Sequence, residues 1–119
     1  MIKLLALLVW SVLSLSVSLA DVSGTWNLEM SWDSGSNATG VCTFKQEVEK
    51  LTGTCGGADK FPVTGEVNDR DVTVQVDVEQ DGNKGRMIFT GAVDEAGTTI
   101  KGACRIVGGQ AGTFTMRKQ

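Results

Sequence analysis

Leu51-Thr52-Gly53-Thr54, Val63-Thr64-Gly65-Glu66, Phe89-Thr90-Gly91-Ala92 and Ile100-Lys101-Gly102-Ala103 repeat one pattern. Each is an apolar residue, Thr or Lys, Gly, then a small or polar residue. Gly inside an alternating pattern marks a strand that bends sharply or is approached closely by another backbone. Strands of this kind predict a strongly coiled sheet that curls toward closure.

The surrounding sequence carries the period-two alternation of half-buried strands and no helical stripe. It is clearest where Val72, Val74, Val76 and Val78 alternate with Thr73, Gln75, Asp77 and Glu79. Strands are predicted over 23–32, 40–47, 50–56, 61–67, 72–79, 85–93, 98–106 and 111–118. Their inward residues include Trp26, Leu28, Met30 and Trp32, then Cys42 and Phe44, then Leu51, Gly53 and Cys55. Phe61, Val63 and Val67 follow, then Met87, Phe89 and Val93, then Ile100, Cys104 and Ile106, and finally Phe114 and Met116. Pro62 cannot donate to a ladder, so its strand is expected to begin near it. Asp33 to Asn37 reads as a flexible loop and Gln80 to Lys84 as a hairpin loop. The expected fold is all-β: an eight-stranded antiparallel up-and-down barrel, avidin-like or lipocalin-like, whose closure removes exposed edges.

Met1-Ile2-Lys3, the apolar run Leu4 to Val17 and the small-residue site Ser18-Leu19-Ala20 read as a secretory signal peptide over residues 1–20. Four serines (Ser11, Ser14, Ser16, Ser18) interrupt the run, which is short for a membrane span, and no Cys follows Ala20 to carry a lipid. Removing 20 of 119 residues leaves one domain, 21–119, expected to be secreted or periplasmic and monomeric. Lys3 is the only charge lost, so the net charge moves from −3 to −4. A mildly acidic chain without a basic cluster argues against nucleic acid and anionic membranes as partners.

Three cysteines in an exported chain allow one bridge. A tight turn at Val48-Glu49 sets Cys42 opposite Cys55 on the same face, so a Cys42–Cys55 disulfide is predicted, with Cys104 left free. Three thiols without any His give no metal site. The absence of His also leaves no ordinary base for a Ser nucleophile, and the carboxylates fall in turns or on outward positions. No enzyme and no cofactor are expected. Asp77 to Gly82 resembles the start of a calcium loop, but the twelfth position holds Ile88. Asn37-Ala38-Thr39 matches a glycosylation sequon.

The remaining candidate is the barrel interior. An eight-stranded barrel is wide enough for side chains to fill it or for one small ligand. Both readings stay open from the sequence. If a ligand binds, a small apolar molecule held by Leu28, Met30, Trp32, Phe44, Met87 and Phe89 is expected. The alternative is an interaction module that contacts another exported protein through loops such as Asp33 to Thr39.

Gly24-Thr25-Trp26, Leu51-Thr52-Gly53-Thr54, Val63-Thr64-Gly65, Phe89-Thr90-Gly91-Ala92 and Gly112-Thr113-Phe114-Thr115 resemble strand motifs of the avidin/streptavidin family. That resemblance implies a calycin-type barrel with a biotin site built from polar side chains and Trp residues. At the corresponding positions this chain has Leu28, Trp32, Cys55, Phe89, Cys104 and Gly112. The resemblance therefore implies the barrel without biotin binding. The chain is also similar to small periplasmic protease-inhibitor barrels, which open with Gly-x-Trp and insert an N-terminal trunk into the protease. Only Asp21-Val22-Ser23 would precede Gly24 after processing.

Overall fold

A computed structural model describes residues 19–119. The leader reading of Met1 to Ser18 lies outside the described residues. Eight strands follow in chain order: β1 (Gly24–Trp32), β2 (Asn37–Glu47), β3 (Lys50–Gly56), β4 (Lys60–Asn68), β5 (Asp71–Gln80), β6 (Asn83–Val93), β7 (Thr99–Ile106) and β8 (Ala111–Lys118). Each pairs antiparallel with the next, and β8 returns to β1, so the sheet is a closed barrel.

The glycine motifs are where the strands turn corners. A Cβ on Gly102 would lie 2.0 Å from the Thr90 carbonyl oxygen, and one on Gly53 would lie 1.9 Å from that of Thr43. Gly65 and Gly91 meet neighbouring carbonyls in the same way. The space a side chain would need holds backbone of the adjacent strand, so only glycine permits the coil. These glycines bring the wall itself inward.

Two strands begin two or more residues earlier than expected. β2 starts at Asn37, because Ser31 to Asn37 closes as a short turn: Trp32 N–H donates to Ser36 at 2.9 Å and Gly35 N–H to Trp32 at 2.8 Å. Asn37, Ala38 and Thr39 pair with Ser31, Met30 and Glu29. The expected flexible loop Asp33 to Asn37 is therefore a tight turn, and Asn37 to Thr39 are strand; the small residue Ala38 hid the alternation. β6 starts at Asn83, since Asp81 and Gly82 take φ of 52° and 80°, as a two-residue hairpin turn requires. The predicted five-residue loop shrinks to that turn.

Cys42 and Cys55 face each other in the β2–β3 register and are bridged. Their Cα atoms are 4.0 Å apart, the close spacing of a non-hydrogen-bonded antiparallel pair. Cys104 is free and buried. The inward faces form one core in which Phe89 and Phe114 meet edge to face at 5.1 Å. Outside, Arg117–Glu29, Arg86–Asp77 and Lys50–Glu66 pair across strands at 2.7, 3.0 and 3.4 Å. All are solvent-exposed and contribute little.

Candidate functional site at the open mouth

The two ends of the barrel differ. At the end that carries the β2–β3, β4–β5 and β6–β7 turns, the N-terminal segment folds inward as a plug. Val22 is fully buried, its carbonyl accepts from the Trp26 indole at 3.0 Å, and Ala20 N–H donates to Asp69 at 3.0 Å. Leu51, Val67, Val93, Ile100 and Met116 complete a core with at most 3% exposure. This end is sealed.

The opposite end is open, with apolar side chains toward the core and the polar residues Glu79, Gln80, Asp81, Asn83 and Lys84 at the rim. Met30, Trp32, Phe61, Val78 and Met87 are partly buried, each packed against the core. Ile106, at the end of β7, is half-buried as well. A cavity of about 460 Å³ lies there, lined by Phe61, Val78, Met87 and Ile106 together with the β5–β6 hairpin from Glu79 to Gly85. Its size falls in the range of small-molecule sites.

Pro62 explains why the wall parts at this place. It has no N–H to give β5, and the β4–β5 pairing begins only at Val63–Val76. On the other side, β6–β7 strand pairing ends at Met87–Ile106, with one further bond from Val107 N–H to the Arg86 carbonyl at 2.9 Å. The hairpin from Asp77 to Arg86 thus stands beyond its neighbours, braced by the Arg86–Asp77 pair. A second, outer cavity of about 780 Å³ shares Phe61, Val78, Glu79, Lys84 and Gly85 with the first and adds Pro62, Ile88 and Val107. The mouth therefore opens both upward and sideways.

The six residues singled out from the sequence divide between two settings. Met87 lines the mouth cavity, and Met30 and Trp32 are half-buried on β1, across the barrel from β5. Leu28, Phe44 and Phe89 are buried in the core, at 3%, 3% and 1% exposure. Phe61, Val78 and Ile106, inward by alternation, join the site as well. The signal for them was Pro62, which interrupts the ladder beside Phe61.

The polar chemistry around the core is sparse. The Cys104 thiol donates to the Thr113 carbonyl at 3.6 Å, and burial, with the Asp33 carboxylate as a second cause, pushes its pKa up. It is a protonated structural thiol rather than a nucleophile. Among the described residues, no group of three or more His, Cys, Asp or Glu side chains could hold a metal ion. No helix among them is long and apolar enough to cross a membrane.

No family model matches the chain, and no curated protein matches it. Similar solved structures include two redesigned barrels. One is a redesigned β-barrel with a TM-score of 0.68 and 20% identity, covering 82% of this chain and 91% of that one. The other is the redesigned barrel mFAP1, bound to DFHBI, with a TM-score of 0.61 and 18% identity, covering 82% and 94%. At these identities the likeness is one of architecture: the chain is a closed eight-stranded antiparallel barrel of the kind those redesigned proteins share.

Proposed function

We propose that this chain is an exported, monomeric, non-catalytic barrel that takes a small apolar ligand at its open mouth. One observation carries the reading: the mouth keeps partly exposed apolar side chains around a cavity of about 460 Å³, while the other end is sealed. Leaving Phe61, Val78 and Met87 half-covered forgoes burial worth roughly 25 cal/mol per Å². A ligand would recover it. That mFAP1 is bound to DFHBI supports the idea that a barrel of this build can hold a ligand.

The Cys42–Cys55 bridge suits an oxidising, extracellular setting. The exposed large apolar residues among those described, Val48 and Val107, sit at opposite ends, which favours a monomer over a hydrophobic interface. The avidin-like strand motifs fit as parts of the container. Leu28 is buried in the core and Cys55 is committed to the disulfide, so neither stands ready for a polar ligand. The loop-mediated alternative has less to work with, since Asn37 to Thr39 are strand. The trunk of an inhibitor-like barrel is likewise folded into the closed end.

The test is titration with DFHBI and with 1-anilinonaphthalene-8-sulfonate, following probe emission and the combined emission of Trp26 and Trp32. Saturable enhancement, lost in Met87→Glu, is expected. Unchanged probe and Trp emission across such a panel would sink the proposal.

A further inference from the structure

We propose that barrel closure pins the residues on either side of the Ala20–Asp21 bond, Asp21 itself staying exposed, so that leader removal acts only on the unfolded or opened chain. The proposal rests on the export reading above, in which Met1 to Ala20 is a cleaved leader. Hydrolysis there adds water across the bond. The C–N bond breaks, the Ala20 carboxylate departs with the leader, and the Asp21 nitrogen becomes an ammonium. A leader peptidase must therefore reach the Ala20 carbonyl carbon with the chain on either side extended in its own cleft.

In the folded protein those groups are already taken. Ala20 N–H donates to the Asp69 carbonyl at 3.0 Å, and the Ala20 carbonyl accepts from Gln46 Nε2 at 3.0 Å. On the other side of the bond, Val22 N–H donates to Gln46 Oε1 at 2.8 Å, and the Val22 side chain is fully buried. Gln46 acts as a clamp. Its amide holds Ala20 and Val22 at once and also donates to the Val48 carbonyl at 2.8 Å, while its backbone N–H donates to Ser23 Oγ at 3.1 Å. Presenting the bond to a peptidase requires these contacts to open together, so the rate of cleavage follows the population of the opened form.

Cleavage removes the two ties made by Ala20 and leaves those of Val22 and Ser23. The plug thus persists in the processed protein through Gln46 and Trp26. Order matters only before closure: once folded, an unprocessed chain keeps its leader.

The experiment adds a purified leader peptidase to the full 119-residue chain in detergent, either at the start of refolding or after refolding is complete. Products are read by mass. Cleavage at Ala20–Asp21 is expected when the enzyme is present from the start, and at least about tenfold slower when it is added late. Equal rates overturn the proposal and leave the leader reading intact. No cleavage in either arm overturns both. In folded Gln46→Glu, which keeps the acceptor and loses the donor to Ala20, late cleavage should accelerate. An unchanged rate with native Trp emission would remove Gln46 from the account.

Discussion

The Trp26 indole N–H and the Val22 carbonyl meet at 3.0 Å across four residues of chain, and neither side chain is reached by solvent. This bond turns the N-terminal segment back beneath the barrel and makes one end a floor. Trp26→Phe keeps an aromatic ring but leaves the Val22 carbonyl buried without a donor. The expected cost is about 1–3 kcal/mol, read as a lower urea midpoint with an unchanged slope. A midpoint equal to wild type would show that the plug does not depend on this contact.

Gly102→Ala tests the corners of the sheet. Its methyl group would fall 2.0 Å from the Thr90 carbonyl oxygen and 2.5 Å from the Gly91 Cα, both backbone atoms that cannot swing aside. A loss of ~3 kcal/mol or failure to close is expected. Gly97→Ala is the control, with no atom near its missing Cβ but a left-handed φ of 76°. It should cost only about 1 kcal/mol.

The bridge between Cys42 and Cys55 closes a hairpin of sequence separation 13. Replacing both with Ser should lower stability by about 3 kcal/mol and leave the barrel intact at low temperature. Thermal melting followed by far-UV circular dichroism checks both parts. Native Cys104 should resist iodoacetamide until the chain is unfolded, because burial holds its thiol protonated.

Val48 is a β-branched residue at φ 56°, three-quarters exposed at the tip of the β2–β3 turn. A left-handed conformation costs such a residue roughly 1–2 kcal/mol. Val48→Asn should therefore raise the urea midpoint, by about 1 kcal/mol in stability. A destabilised variant would mean that the valine makes contacts which outweigh its backbone.

Asp94 contributes to the acid side of the stability profile. Its carboxylate accepts from Thr98 N–H at 3.0 Å and Thr99 N–H at 3.2 Å, and the Thr98 bond above all holds its pKa below the ordinary value. A carboxyl depressed in the folded state contributes stability above its unfolded pKa and loses it as pH falls through the folded one. The stability gap between wild type and Asp94→Asn should be widest near neutrality and narrow in acid. A gap that is constant with pH would contradict this.

Much of the fold was legible because alternation and glycine placement are local signals. β3 and β8 fall on their predicted spans, and the Cys42–Cys55 register follows from the turn at Val48-Glu49. The early starts of β2 and β6 were hidden because Asn37, Ala38, Asn83 and Lys84 carry little apolar signal, although the ladder runs through them. The site was legible only in part. Alternation says that Leu28, Phe89 and Met87 all face inward, but depth along the barrel depends on which end is plugged. That was set by Val22, Trp26 and Gln46, residues whose partners lie 4 to 26 positions away.

The most direct test of the central claim uses the methionines, which are distributed along the barrel. Met30 and Met87 are partly buried toward the mouth, and Met116 is buried at 1% exposure in the sealed half. Methyl spectra of labelled methionine are recorded while 1-anilinonaphthalene-8-sulfonate is titrated in. The account predicts a saturable shift at Met87, a smaller one at Met30 and none at Met116. A shift confined to Met116, or no shift at any methionine, would contradict it.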